Sequence, residues 1–288
     1  MTALQRQRFL LPHRAVLLTT LVGERKPSKV ASGFLRREGI KLYLYMCWHT
    51  VTGLDPHTRN LPPTHKWDRP TMVRVTLQGY QPHGPGVATI GGAREYELDL
   101  YSRDGTPLWL QDRQYVPDDD LARACLRFPF VHDAVKIPFP DIETMPDALL
   151  TDDNAILPSM MVLPGDTVVI VGYPHGYSAL ETPTPVVITA HVAAMFSKER
   201  RMEFLLDRAG APGMSGGPVF VEQDAQLWPM GMYTGAVYPD KAASGVPRVS
   251  TLGSCANLTQ CWSEPELAFV PARSPDMTPV DGPPPGPI

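Results

Sequence analysis

The chain has 288 residues, enough for one large domain or two lobes of moderate size. Its hydrophobic content of 43% and charged content of 19% are those of a globular protein, which excludes disorder over the whole chain. A net charge of −4 disfavours a general nucleic-acid surface, and the sequence has no apolar run of about 18 residues, so no membrane span is expected.

The 32 prolines predict many loops and short strands, because proline interrupts both helices and β-ladders. The first residues lack the apolar segment and small-residue cleavage site of a secretory signal. The four cysteines, Cys47, Cys125, Cys255 and Cys261, lack paired CxxC spacing. Together these features predict reduced thiols and a cytoplasmic location.

The first part of the chain predicts three strands. Residues 15–22 are apolar and β-branched, and residues 30–35 and 40–46 predict a hairpin. The last of these strands runs directly into His49, so the imidazole lies at the end of a rigid support. A core histidine bonded to the backbone is the alternative interpretation of an isolated histidine.

The middle of the chain contains loop and strand signals. Asp55, His57 and His65 lie in a proline-containing loop and match no familiar zinc spacing, so no metal site is predicted. Alternation over residues 72–77 predicts a half-buried strand. Asp133 opens a short apolar segment, where its simplest role is that of a turn residue at the end of a strand.

The segment from Gly210 to Phe220 places one serine among small residues, directly before an apolar strand. Glycine tolerates positive φ, so this turn can aim the amides of Gly213 and Ser215 at one point, as in an oxyanion hole. A glycine-rich hairpin turn and a phosphate loop are the alternatives. A phosphate loop would carry a lysine and lead into a helix, whereas a strand is predicted here.

Three segments resemble motifs of the chymotrypsin-like serine proteases. Gly213-Met214-Ser215-Gly216-Gly217-Pro218 is similar to the nucleophile motif, and the segment around His49 resembles the histidine motif, with Met46-Cys47-Trp48 where the family usually has Thr-Ala-Ala. Asp133 begins a segment similar to the one that supplies the third catalytic residue. The order His49, Asp133, Ser215 is that of the family, and the resemblance covers about residues 15–262.

Asp153 is an alternative to Asp133, because it too begins a segment of small and apolar residues. It lies only 12 positions before Gly165, where a long apolar strand starts, which leaves too few residues for a connector between the two lobes. Asp133 leaves room for a connector and is preferred.

The resemblance implies an all-β fold of two six-stranded antiparallel β-barrels with a short C-terminal helix. The helical spacing of Leu252, Cys255, Leu258 and Trp262 predicts that helix. The expected lobes are residues 1–140 and 141–262, followed by a proline-rich, flexible tail at 263–288.

The resemblance also implies a serine endopeptidase that hydrolyses a polypeptide substrate through an acyl-enzyme, without metal or cofactor. Ser215 would be the nucleophile, His49 the general base and Asp133 the residue that orients His49. The oxyanion hole would be formed by the amides of Gly213, Met214 and Ser215. Substrate would contact Ala209, Tyr233, Thr234 and Gly235, the last three on a strand that pairs with the substrate backbone.

Two other functions are compatible with the sequence. One is a binding module of this fold that has lost catalysis, since Trp48 is bulky where the family has a small residue. The other is a protease that is latent until a protein partner activates it. Ala209 at the pocket floor favours a small or neutral substrate side chain, while the nearby Asp207 leaves open a preference for Lys or Arg.

Overall fold

The computed structural model describes residues 2–54, 69–84, 87–112, 132–140, 150–151, 162–177, 183–198, 201–237, 252–263 and 268–272. Most of these residues are in strands, as the proline-rich and β-branched sequence predicts. Among them, no helix is long and apolar enough to cross a membrane.

The first part of the chain forms an N-terminal lobe. Its elements in chain order are α1 (Ala3–Leu10), a 3₁₀ turn (Leu11–His13), β1 (Val16–Val22), β2 (Lys26–Glu38), β3 (Lys41–Met46), α2 (Trp48–Thr52), β4 (Met72–Gly84), β5 (Val87–Asp99), β6 (Leu110–Asp112), β7 (Val135–Phe139) and β8 (Leu150–Thr151).

The remaining elements belong mainly to a C-terminal lobe. They are β9 (Thr167–Gly172), a 3₁₀ turn (Pro174–Gly176), β10 (Val186–Lys198), β11 (Arg201–Leu206), β12 (Pro218–Gln223), β13 (Gln226–Val237), β14 (Leu252–Asn257), α3 (Thr259–Ser263) and β15 (Phe269–Pro271).

Six strands of the C-terminal lobe close into an antiparallel barrel in the order β10-β11-β14-β13-β12-β9. Closure leaves no free edge, and apolar side chains from all six strands fill the interior. The predicted all-β class and the predicted second barrel are confirmed.

The N-terminal lobe is built on a nine-stranded sheet in the order β15-β6-β7-β3-β2-β1-β4-β5, with β8 pairing parallel to β2. Pairing among the described residues does not close this sheet into the six-stranded ring that was expected. Strand β3 is buried on both faces, because Leu42, Leu44 and Met46 pack into the lobe's core while Tyr43 and Tyr45 face a second apolar cluster.

Charged side chains are buried beside this second cluster. Lys136 is 2% exposed, and its Nζ lies 2.5 Å from Oε2 of Glu38. The guanidinium of Arg36 stacks on the ring of Trp262 at 4.6 Å. Each buried cation therefore has a charged or aromatic neighbour that offsets the cost of removing it from water.

The predicted C-terminal helix is present, but it is shorter than the spacing indicates. Helix α3 begins at Thr259, and Leu252–Asn257 is strand β14. The barrel explains this difference, because β14 pairs with β11 on one side and β13 on the other. Tertiary pairing outweighed a local helical pattern.

Part of the predicted tail lies in the N-terminal sheet. Strand β15 pairs with β6, and the N–H of Ala272 donates to the carbonyl of Trp109. At the other end of the chain, α1 packs on the C-terminal barrel, where Gln7 bonds the main chain of Leu227 in both directions. The lobe boundaries at 140 and 262 stay a prediction.

The thiols of Cys47, Cys255 and Cys261 are free and buried, and Cys125 lies outside the described residues. Four other residues discussed above also lie outside the described residues: Asp55, His57, His65 and Asp153.

Replacing Phe269 by alanine tests whether β15 is part of the folded core. The Phe269 ring is 4% exposed and meets the ring of Tyr45 edge-on at 5.7 Å. We expect the free energy of unfolding in urea to fall by about 3–5 kcal/mol, because a cavity replaces a buried ring. Ile40→Ala, at an 88% exposed turn residue, should change it by less than about 0.5 kcal/mol. Equal stability of the two variants would mean that β15 is not docked in solution.

Candidate active site

The pairing of β3 with β7 brings His49 and Asp133 together. The two strands are antiparallel, with Met46 opposite Val135 where β3 ends and β7 begins. Nδ1 of His49 lies 2.6 Å from Oδ2 of Asp133, and the main-chain N–H of His49 donates to Oδ1 at 2.9 Å. Each carboxylate oxygen therefore holds a different group of the same histidine.

Asp133 also accepts a hydrogen bond from a backbone N–H in the first turn of helix α2. Cys47, at the N-cap position, makes no side-chain capping bond. The N–H of His49 in the first helical turn would lack an intrahelical partner, and the Asp133 carboxylate takes that role from the neighbouring strand. One carboxylate thus positions both the backbone and the ring of His49.

The contact with Asp133 selects the tautomer of His49. A carboxylate can only accept, so Nδ1 carries the proton and Nε2 keeps its lone pair. The Asp133 side chain is 7% exposed, whereas that of His49 is 28% exposed. The buried carboxylate therefore holds a ring whose other nitrogen can act as a base.

Trp48 turns away from this dyad into the core of the N-terminal lobe. It is 4% exposed, and its Nε1–H donates to Oε1 of Gln111 on β6 at 3.2 Å. The bulky residue that replaces a small one next to the histidine is thus accommodated by packing and a hydrogen bond. It does not displace His49 from Asp133.

Cys47 is a buried thiol at the same place. Burial, reinforced by the negative charge of Asp133, raises the pKa of Cys47 well above its ordinary value, so the thiol stays protonated. Among the described residues, the ligand atoms of Cys47, His49 and Asp133 all lie within 4.8 Å of one another, so this group is the candidate for holding a cation. Two ligands of one zinc ion lie about 3.3 Å apart. The shorter separation of His49 and Asp133 is that of a hydrogen bond, which a metal would have to break.

Ser215 lies on the loop that joins β11 to β12. Its Oγ donates to the carbonyl of Thr234 at 3.4 Å, a long hydrogen bond. The next N–H, that of Gly216, donates to the carbonyl of Tyr233 at 2.8 Å. The same carbonyl accepts the Sγ–H of Cys47 at 3.6 Å, so it joins the serine loop to the histidine segment.

The two lobes touch directly beside the serine. A Cβ on Gly216 would lie 2.0 Å from the carbonyl oxygen of Ser32 on β2 and 3.5 Å from the nitrogen of Cys47. The structure therefore brings His49 and Asp133 into contact and sets Ser215 on the loop that packs against the segment leading to His49.

The amides predicted for an oxyanion hole differ in their availability. Gly213 has a φ of +94°, which suits glycine, and a Cβ there would lie 2.5 Å from the carbonyl of Tyr173. The N–H of Met214 donates to the carbonyl of Ala211 at 3.1 Å and is used inside the turn. The N–H groups of Gly213 and Ser215 donate to no acceptor within the described part of the chain. These two amides are the ones open to a ligand.

The ring of Tyr233 fills the space next to the predicted pocket floor at Ala209. Tyr233 is 1% exposed, and its Oη accepts the N–H of Gly210 at 2.8 Å. A Cβ on Gly210 would lie 3.1 Å from the ring, and one on Gly253 would lie 3.2 Å from it. The ring is therefore held between two chain segments that have no side chains there.

The other predicted substrate contacts lie further along β13. Thr234 and Gly235 are half-buried, and a Cβ on Gly235 would meet nothing within 4 Å. Among the residues that the structure describes, the space next to Gly235 on that face of the strand is therefore open.

Asp207 is committed to another partner. Its carboxylate accepts the N–H of His191 at 2.8 Å and lies 2.9 Å from Nδ1 of the same residue, and both side chains are about half exposed. The backbone N–H of His191 holds the pKa of Asp207 below its ordinary value. The carboxylate thus lies on the barrel surface, which argues against its use for a Lys or Arg side chain.

Sequence reasoning missed one residue at the site and the orientation of another. Ser32 is a polar residue inside an apolar strand, which was a signal, but its contacts depend on the other lobe. Tyr233 was predicted to contact substrate, yet the direction of its ring could not be read from the strand pattern.

A closed six-stranded antiparallel barrel joined to a second β-sheet, with a short C-terminal helix, is the chymotrypsin-like fold. Among solved structures, the chain is similar to the crystal structure of a serine endoprotease from Yersinia pestis, with a TM-score of 0.50 and 13% sequence identity. The similarity covers 92% of this chain and 66% of that protein. No family model and no curated protein matches the chain. At this identity the likeness establishes the fold, and activity must be argued from the residues.

The bond between His49 and Asp133 predicts a spectroscopic signature. A proton shared closely between an imidazole and a buried carboxylate is strongly deshielded and exchanges slowly. We expect a far-downfield proton resonance from Nδ1 of His49 that disappears in Asp133→Ala. The exposed pair of His191 and Asp207 has the same two contacts, so His191→Ala is the matched control and should leave the resonance unchanged. A signal that survives Asp133→Ala would contradict the assigned contact.

Proposed function

We propose that the protein is a serine endopeptidase that cleaves polypeptides through an acyl-enzyme. The observation that carries the proposal is the double contact of Asp133 with His49, next to the loop that bears Ser215. That contact places the proton of the neutral ring on Nδ1, so Nε2 is the nitrogen that can accept a proton, as a general base requires. The likeness to a serine endoprotease supports the fold on which such a site is built.

In the proposed reaction, the hydroxyl of Ser215 attacks the scissile carbonyl while Nε2 of His49 takes its proton. Asp133 keeps the ring oriented and stabilises the imidazolium as it forms. The oxyanion accepts hydrogen bonds from the N–H groups of Gly213 and Ser215, which donate to no acceptor among the described residues. His49 returns the proton to the leaving amine, and water then hydrolyses the acyl-enzyme by the same steps.

The arrangement of the serine loop favours an active enzyme over a module that has lost catalysis. Trp48, which raised the doubt, is packed away from the dyad. The N–H groups of Gly213 and Ser215 already have no acceptor among the described residues of the chain on its own. We therefore propose that no partner is needed for basal activity.

Labelling with a fluorophosphonate probe tests the proposal. Wild type should be labelled at Ser215, and Ser215→Ala should not be labelled. His49→Ala should react more slowly by a factor on the order of a millionfold, because the serine loses its base. Ser28→Ala, at an exposed position on β2, is the matched control and should label like wild type.

Two outcomes would contradict the proposal. Wild type that stays unlabelled under all conditions would favour the binding module. Labelling that appears only after addition of a partner protein would favour the partner-activated protease.

We further propose that the substrate side chain before the scissile bond is small and neutral. The buried ring of Tyr233 occupies the space between Gly210 and Gly253, and Asp207 is bound to His191. The ring then leaves little room near Ala209 for a long side chain, and Asp207 is not available to pair with a basic one.

Replacing Tyr233 by valine should enlarge the accepted side chain. We expect the kcat/KM of a peptide ester with Phe before the cleaved bond to rise relative to its Ala counterpart by at least about tenfold. Tyr233→Phe keeps the ring and should retain the wild-type preference, and Tyr177→Val, at a 61% exposed tyrosine, is the control. An unchanged ratio in Tyr233→Val would show that the ring does not limit the pocket.

A further inference from the structure

Ser32 makes an unusual set of contacts for a residue on the opposite lobe from the predicted nucleophile. It lies on β2 and is fully buried. Its Oγ–H donates to the carbonyl of Gly213 at 2.8 Å, and its main-chain N–H donates to the carbonyl of Ser215 at 2.9 Å. One residue therefore binds the peptide groups on both sides of Met214 and Ser215.

The direction of the hydroxyl proton of Ser32 is determined by a third contact. The N–H of Tyr173 donates to Oγ of Ser32 at 2.9 Å. An N–H can only donate, so Oγ accepts from Tyr173 and its own proton must point elsewhere. The carbonyl of Gly213 is the acceptor that receives it.

All four carbonyls from Pro212 to Ser215 are occupied. The carbonyl of Pro212 accepts the N–H of His175 at 2.5 Å, and that of Met214 accepts the N–H of Gly217 at 2.9 Å. The other two, those of Gly213 and Ser215, are bonded by Ser32. A trans peptide directs its C=O and N–H to opposite sides, so the bonds of His175 and Gly217 orient the N–H groups of Gly213 and Ser215. The two bonds from Ser32 fix the peptide groups that follow Gly213 and Ser215, and so hold the rest of the loop in place around those amides.

We propose that Ser32 is a positioning residue for the oxyanion hole, holding the serine loop in the arrangement that leaves the amides of Gly213 and Ser215 open. The inference rests on the proposed function, because an oxyanion hole matters only if acyl transfer occurs. Ser32 touches no reacting atom and acts through the loop. Its hydroxyl supplies the one bond in this set that comes from a side chain.

Ser32→Ala removes that hydroxyl while keeping the main-chain bond to Ser215. We expect the maximal rate of acylation by a fluorophosphonate to fall by about 10–100-fold, less than or comparable to the loss of an oxyanion donor itself. The probe concentration that gives half of the maximal acylation rate should change by less than about twofold. Ser32→Thr keeps the hydroxyl and should restore most of the rate.

Thr20→Val is the matched control. Thr20 is also fully buried, and its hydroxyl bonds the main chain of Lys29 within the N-terminal sheet. The Thr20→Val substitution removes a buried hydroxyl far from the serine loop, so it should lower the melting temperature of the protein without changing the acylation rate. A Ser32→Ala rate equal to that of Thr20→Val would overturn the proposal.

Amide hydrogen exchange separates this inference from the proposed function. The N–H of Met214, bonded to Ala211, should exchange faster in Ser32→Ala than in wild type, because the peptide it belongs to loses its tether at Gly213. Exchange at Met214 that is unchanged would overturn the positioning role. If wild type is never labelled but Met214 responds as expected, the endopeptidase proposal fails while the role of Ser32 in holding the loop stands.

Discussion

The site depends on a close contact between the backbones of two segments of the chain, which leaves no room for a side chain. Gly216, next to the predicted nucleophile, lies so close to Ser32 that any Cβ would overlap the Ser32 carbonyl. The contact joins a strand of one lobe to a loop of the other, so the position of the serine loop is set by the same strand that pairs with β3. Strand β3 in turn leads into the histidine, and its pairing with β7 brings in the carboxylate. Main-chain geometry thus connects three residues that are far apart in the sequence.

Hydrogen bonds to backbone groups account for much of this precision. Asp133 binds both the amide and the ring of His49, and the carbonyl of Tyr233 accepts from Gly216 and Cys47. When one carboxylate or carbonyl binds two donors, any other arrangement of the site would leave a buried donor without a partner. Such an unmade hydrogen bond costs free energy, so few alternative arrangements are accessible. The rigidity expected of a preorganised site therefore follows from the local bonding.

Several features of the fold and site could be predicted from sequence because they are local. Apolar and β-branched segments located several strands, including the strand before His49 in the N-terminal sheet and the one after Ser215 in the barrel. The glycines around Ser215 predicted a turn with unusual backbone angles, and Gly213 and Gly216 indeed have positive φ. The pairing of Asp133 with His49 was expected from a family resemblance, since no local pattern links residues so far apart. The catalytic roles themselves stay predictions.

What could not be predicted depends on contacts between distant parts of the chain. Residues 252–257 carry a helical pattern but form the strand that closes the barrel, and residues 269–271 look like part of a proline-rich tail but pair with β6.

The position of β15 near the end of the sequence also affects how the protein folds during synthesis. The ribosome releases β15 more than a hundred residues after β7, a delay of roughly ten seconds at ordinary translation speeds. Until then β6 pairs only with β7, and Tyr45 lacks the rings of Trp262 and Phe269, so a nascent chain cannot complete its first lobe before most of the second has been synthesised.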